Sequence, residues 1–234
     1  MKPSTDRIPA GWTVEGPFLR DALLPLSGSR RPSAMDKQPA SVQVWLDQDG
    51  LRGDRVADRR FHGGPDRSLC HYPTEHYAYW RMRYRHLGAI GAAAFGENLS
   101  TTGLTEHEVC VGDRYQWGEA LIEVSQPRSP CAKLDRRHAA PGLSREMAQS
   151  GRTGWLYRTL VPGYILPGAR LQLIARPNPD ASILRVWRGF IDSALGDDEL
   201  AWLAGLPALA GEYRLAFRHR RDARRRQQDQ GTLF

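Results

Sequence analysis

Cys131 closes the run Ser125-Gln126-Pro127-Arg128-Ser129-Pro130-Cys131, which follows an apolar stretch containing Ala120, Leu121, Ile122 and Val124. Pro127 and Pro130 lack a backbone N–H and fix φ, so a strand arriving here leaves its ladder and the residue before each proline is extended. The chain thus presents the Cys131 thiol on a stiff loop just past a strand end, with Arg128 close by. A nearby guanidinium favours the thiolate, the form of cysteine that acts as a nucleophile or metal ligand. The structural alternative is a small cysteine packed beside a loop.

Two further segments have the composition of a ligand site. In His62-Gly63-Gly64-Pro65-Asp66-Arg67, adjacent glycines let backbone N–H groups turn toward an anion, and His62 and Arg67 add charge, a combination suited to phosphate. A Gly-Gly-Pro-Asp turn is also an ordinary loop. In Phe95-Gly96-Glu97-Asn98-Leu99, a carboxylate and an amide stand between apolar neighbours, where they need partners that a polar ligand can supply. His71 and His76 are spaced poorly for two ligands on one helix face and no CxxC occurs, which argues against zinc. GxGxxG, P-loop and GxSxG sequences are absent. A thiol–histidine hydrolase pairing Cys131 with His62 or His138 stays open.

These segments need a scaffold. The 234 residues suit one ordinary domain with a small addition, and 41% hydrophobic with 25% charged residues is a globular composition. No apolar run reaches the roughly 20 residues of a membrane helix, and Met1 to Gly11 holds no apolar signal region. Cys70, Cys110 and Cys131 form no disulfide pattern; Cys70 and Cys110 read as packing residues, and a reducing cytoplasm is the expected location. Strands are expected over Trp12–Leu19 and Ser41–Leu46. Thr74 caps a helix with an aromatic stripe of Tyr77, Trp80 and Tyr84, continued by Leu87 and closed by Gly88. Short strands joined by tight turns follow at Val109–Val111, Tyr115–Trp117 and Leu121–Val124, then a helix over Leu143–Gln149 and strands over Gly154–Leu160 and Ala169–Ile174. Such crowded strands suggest a barrel or sandwich.

Arg176 to Asp180 reads as a linker into three short helices: one capped by Ser182, one capped by Asp197, and one with Pro207 in its first turn, carrying Leu209, Tyr213 and Phe217. This module is too small to hold much core alone and should dock on the β domain. The net charge is +7, and seven arginines fall between Glu212 and Gln230 against three acids. Such a run reads as a solvated helix end with a disordered tail more readily than as a nucleic-acid grip. The division is a β domain over 1–176, a helical module over 177–222 and a basic tail over 223–234.

The His62–Arg67, Phe95–Ser100, Gly118–Ala120 and Ser125–Cys131 segments together closely resemble the YiiM-type MOSC proteins, over roughly Ser33 to Arg221. The resemblance implies a mainly β protein: a MOSC-type β-barrel, its motifs within about 33–176, with a few peripheral helices and a trailing three-helix module. It implies the molybdenum cofactor, a pterin dithiolene holding molybdenum, with Cys131 as catalytic residue and protein ligand to the metal. A soft thiolate suits a metal already held by sulfur. The pterin's anionic tail asks for a glycine-rich loop and cations, which assigns His62, Gly63, Gly64, Arg67 and Arg128 to cofactor binding, and its ring edges ask for Glu97, Asn98 and Gln126.

Related proteins reduce N-hydroxylated compounds, including hydroxylamino purines, with electrons from a separate flavoprotein. The expected partners are therefore a small N-hydroxylated substrate and an external flavoprotein reductase, with neither nucleic acid nor membrane. The competing reading is a cofactor-binding or persulfide sulfur-carrying module without reductase chemistry.

Overall fold

The computed structural model describes residues 11–25, 32–58 and 62–231. In chain order the elements are β1 (Val14–Glu15), β2 (Phe18–Leu19), β3 (Leu24–Pro25), β4 (Pro32–Ser33), β5 (Gln38–Pro39), β6 (Val44–Asp47), β7 (Gly50–Leu51), β8 (Leu69–Pro73), α1 (Glu75–Arg83), β9 (Leu99–Thr101), β10 (Arg114–Trp117), β11 (Ala120–Pro127), α2 (Lys133–Arg137), α3 (Leu143–Ser150), β12 (Trp155–Val161), β13 (Gly163–Ile165), β14 (Leu171–Ala175), α4 (Ile183–Ile191), α5 (Asp197–Gly205) and α6 (Gly211–Gly231).

The main sheet runs β1-β9-β8-β12-β11-β10-β14, antiparallel except for the parallel pair β8–β9. Trp12, beside β1, exchanges two backbone hydrogen bonds with Leu171 of β14, at 2.7 and 3.0 Å, so the first and last strands meet and the sheet nearly closes. Closure removes the exposed edges that an open sheet would leave. The expected mainly β, barrel-like architecture is the one observed.

Side-chain alternation puts the core inside. On β12, Trp155, Tyr157 and Thr159 are buried while Leu156, Arg158 and Leu160 are half-buried, the two-residue period of a strand with one face on the core. β11 is buried along nearly its whole length because α4 covers its outer side. The barrel core continues without a break into the C-terminal helices: Ile122, Tyr157 and Trp117 belong to the same apolar cluster as Val186, Leu203 and Phe217. The module thus docks by sharing a core. A second cluster joins Tyr72, Tyr77, Trp80 and Phe95 to Leu134, Leu143 and Met147, so the aromatic stripe of α1 is core.

Several local expectations need correction. Pro127 stays in the ladder as the last residue of β11, paired with Trp155, an end position that tolerates the missing N–H. Val109 and Val111 are buried in a loop rather than a strand, tied down where the Val111 N–H donates to Ala181 O. Thr74 stands at the N-cap of α1 but sends its hydroxyl to Thr101 O, leaving the helix end uncapped by that side chain. Ser182 does cap α4, accepting the Arg185 N–H at 3.2 Å, whereas Gly196 rather than Asp197 is the N-cap of α5 and Pro207 lies in a turn before α6.

The largest correction concerns the tail. Residues 223–231 are not a disordered end but the last turns of α6; residues 232–234 lie outside the described residues. Arg220 donates to the carbonyls of Gly189, Phe190 and Asp192, and Arg224 donates to those of Ser193 and Leu195. These are carbonyls at and just beyond the end of α4, which the helix itself cannot satisfy. Among the described residues, no helix is long and apolar enough to cross a membrane.

Candidate functional site

A cavity of about 200 Å³ opens between the Cys131 loop, the His62–Arg67 segment and the start of β8. β11 delivers the loop. The register of β11 against β12 shifts between Val124 and Gln126, an irregularity of the kind that re-aims a strand's side chains, and Gln126 just beyond it lines the cavity. The loop remains tethered after the strand ends, because the Arg128 N–H donates to Gly154 O at 3.1 Å and Cys131 O accepts from the Leu134 N–H at 3.0 Å, at the start of α2. Gly154 itself has φ +71, and a Cβ there would stand 2.3 Å from His71 O, so only glycine permits this close approach.

Cys131, Arg128, Gln126, His62, Gly63 and Arg67 all line the cavity. Cys131 is half-buried and forms no disulfide among the described residues. Arg128 places Nη2 2.6 Å from Phe95 O, while its Nη1 is buried without a hydrogen-bond partner. Burial opposes the Arg128 charge, but Cys70, Glu97 and Cys131 nearby hold its pKa above that of an ordinary arginine. The Oε1 of Gln126 is likewise buried and unpartnered. Buried polar atoms left without partners are uncommon in folded proteins, and two of them belong to residues that line this one cavity.

His62 differs from expectation. Burial, reinforced by Lys133, Arg128 and Arg67, pushes its pKa below the usual histidine value, so near neutrality it offers a neutral ring rather than a cation. Arg67 also has a protein partner, Glu212, with Nη2 at 2.5 Å from Oε2. Arg128, expected from the sequence, is joined on the cavity wall by Lys133 and Arg55, which sequence reasoning did not single out; Lys37 also lines it but is paired with Asp54.

Asn98 lines the cavity, yet its side chain is spent on the scaffold: Oδ1 accepts the Cys70 N–H at 3.0 Å, and Nδ2 donates to Phe18 O and to Asp54 at 3.0 and 2.8 Å. Glu97 and Gly64 are outside the lining. Glu97 is fully buried, where it accepts from the Tyr77 hydroxyl and the Phe95 N–H, and burial raises its pKa. Gly64 serves the turn through φ +93, with open space around its α-carbon. His138 turns to Ala94 O at 2.9 Å, and among the described residues no hydrogen bond joins Cys131 to His62 or His138.

Two cavity residues escaped the sequence reading in an instructive way. Cys70 lines the cavity instead of packing, and burial raises its thiol pKa. The two-residue period of β8 carries the signal, since Leu69 and His71 face the core and Cys70 between them faces away. Glu212 reaches the cavity from the first turn of α6, a contact for which the sequence offers no local sign. Cys110 does pack: its Sγ donates to Pro179 O at 3.3 Å, and burial pushes its pKa up to about 11.

The chain is thus a nearly closed β-barrel with a thiol, unpaired polar atoms and cations on residues around one cavity. The MOSC domain family matches residues 58–172. Over 147 residues the chain is 48% identical to protein YiiM of Escherichia coli (strain K12), an alignment spanning 62% of this chain and 66% of that protein. The crystal structure of YiiM from Escherichia coli superposes with a TM-score of 0.75 and 34% identity, covering 92% of this chain and 94% of that one. YiiM from Geobacillus stearothermophilus gives a TM-score of 0.74 and 33% identity over 89% and 99% of the two chains. A protein named Reductase from Gibberella moniliformis (strain M3125 / FGSC 7600) is 37% identical over 163 residues, 69% of this chain and 29% of that longer protein. The chain belongs to the MOSC family, and within it to the YiiM type.

Proposed function

We propose that this protein is a molybdenum cofactor-dependent reductase of N-hydroxylated compounds, such as hydroxylamino purines, with Cys131 as the protein's ligand to the metal. The observation that carries this reading is the cavity wall itself: a half-buried thiol at Cys131 flanked by two buried polar atoms without partners, Gln126 Oε1 and Arg128 Nη1. A soft thiolate suits molybdenum held by a dithiolene, a cationic wall suits an anionic tail, and unpaired amide and guanidinium atoms suit the polar edge of a pterin. The residues present fit the group. Arg128, Lys133 and the positive-φ turn at Gly63 would hold its tail, and Gln126 its ring edge. When bound, the group supplies the two-electron chemistry that converts N–OH to N–H with release of water, using electrons from a separate flavoprotein reductase.

The protein's part is to choose the thiol, shape the pocket and set charge. Two thiols line the cavity: Cys70 lies within β8, where burial raises its thiol pKa, whereas Cys131 stands on the loop past the end of β11, the position we assign to the ligand. His62 lines the cavity, and its neutral ring carries one N–H and one acceptor nitrogen.

Cys131→Ser tests the assignment, because a hydroxyl of similar size is a poor substitute for a thiolate. Loss of outer partners of a metal site alone costs about 10–100-fold, so removal of the ligand should lower turnover of a hydroxylamino purine, driven by an artificial donor, by more than about 100-fold. Circular dichroism should be unchanged, and Cys110→Ser should keep near wild-type turnover. Undiminished turnover in Cys131→Ser would refute the assignment. A labile sulfane sulfur on Cys131 in place of stoichiometric metal would instead favour the sulfur carrier.

A further inference from the structure

Glu212 belongs to the C-terminal module, yet its carboxylate ends on the wall of the barrel's cavity. Its Oε2 accepts from Arg67 Nη2 at 2.5 Å and its Oε1 accepts from Gln126 Nε2 at 3.0 Å. A carboxylate only accepts, so it dictates which end of the Gln126 amide faces it: the NH₂ turns toward Glu212, and Oε1 turns away. That Oε1 belongs to a cavity-lining residue that is 3% exposed, and it is itself buried without a partner. An acceptor so placed is costly until something donates to it. The other unpartnered atom of the wall, Arg128 Nη1, is a donor.

We propose that Glu212 is a positioning residue that fixes Gln126 as a hydrogen-bond acceptor for an amino N–H of a fused nitrogen heterocycle bound in the cavity, with Arg128 donating to a ring nitrogen or carbonyl of the same molecule. The C-terminal helix thereby sets the polarity of a site built on the barrel. The inference rests on the proposed function in one respect: both ring systems of that reading, the aminopurine of the substrate and the aminopterin of the cofactor, carry such an edge. Neither turnover nor bound metal enters its test, so the two can fail separately.

The experiment titrates the full chain, made in a host unable to synthesise the cofactor, with matched ring pairs by calorimetry. One arm compares 6-aminopurine with 6-methylpurine; the other compares 2-amino-4-oxopteridine with 4-oxopteridine. Removing the donor leaves Gln126 Oε1 unpaired, so the amino compound should bind about tenfold tighter in at least one arm. Preference in the purine arm alone assigns the edge to substrate, and preference in the pteridine arm alone assigns it to cofactor. In Glu212→Gln the new amide can donate to Gln126, freeing that side chain to turn its own NH₂ to the cavity, and the preference should collapse to within about twofold. Glu212→Ala, which leaves the Gln126 amide undirected, should do the same, both variants being checked for wild-type helix content. A merely structural role would weaken both members of a pair together and leave their ratio intact. Equal or undetectable binding of both members in both arms of the wild type, or an unchanged ratio in the variants, overturns the proposal.

Discussion

Cys70 and Cys131 line one cavity from different elements, Cys70 from within β8, where burial raises its thiol pKa, and Cys131 from the loop past β11. The same effect acts on His71 at the far side of β8. His71 is fully buried against Trp155, with ring centroids 4.3 Å apart, and both its nitrogens are engaged, by the Tyr157 hydroxyl and by Thr101 Oγ1 at 2.9 Å each. Burial pushes its pKa down to about 3. The folded pKa thus lies below that of the unfolded chain, so the contribution of His71 to stability is full above about pH 6.5 and declines as pH falls toward 3. The decline approaches about 1.4 kcal/mol per pH unit for one proton taken up on unfolding. His71→Gln should flatten the fall of the urea midpoint between pH 6.5 and pH 4 relative to wild type. An identical slope in the variant would mean that His71 protonates without unfolding. At this scale two prolines and an arginine in the sequence single out Cys131, which the structure places on the cavity wall, but the sequence cannot distinguish Glu97, buried with the Tyr77 hydroxyl, from a residue open to ligand. Both kinds of site present a polar residue between apolar neighbours.

Among the elements, periodicity reveals those whose side chains alternate between core and solvent. The aromatic stripe of α1, the helix α3 ended by left-handed Gly151, and the strands β12 and β14 all appear near their expected positions for that reason. The length of α6 is not legible, because what holds its second half is arginine bonded to backbone carbonyls, and a run of arginines looks the same when it is solvated. Arg220 carries the clearest share of this, with hydrogen bonds at 2.8 and 3.1 Å to the carbonyls of Gly189 and Phe190. Arg220→Ala should strip those carbonyls and lower stability by about 1 kcal/mol, roughly 2–4 °C in Tm for a chain of this size. Thermal denaturation followed by circular dichroism measures it. An unchanged Tm would return the arginine to the class of solvated charge.

At the scale of the molecule, the helical module does more than dock. It shares the barrel's apolar cluster and sends Glu212 into the cavity, a long-range contact between residues 67 and 212 that no local pattern encodes. The arginines beyond Arg224 are not among the residues that line the cavity, so deletion of residues 225–234 should leave turnover with an artificial electron donor unchanged. With the flavoprotein reductase that we propose as donor, the deletion should slow turnover at low salt and converge with wild type as salt rises, because weak encounters depend on screened complementary charge. Equal rates across a salt series would remove the tail from docking. The central claim, that the cavity holds molybdenum through Cys131, is tested most directly by metal and pterin analysis of wild type and Cys131→Ser made in a host that synthesises the cofactor. The account predicts one molybdenum and one pterin per wild-type chain, with the metal lost or loosely held in the variant. Wild-type protein that carries neither, or a variant that retains both as tightly, would contradict it.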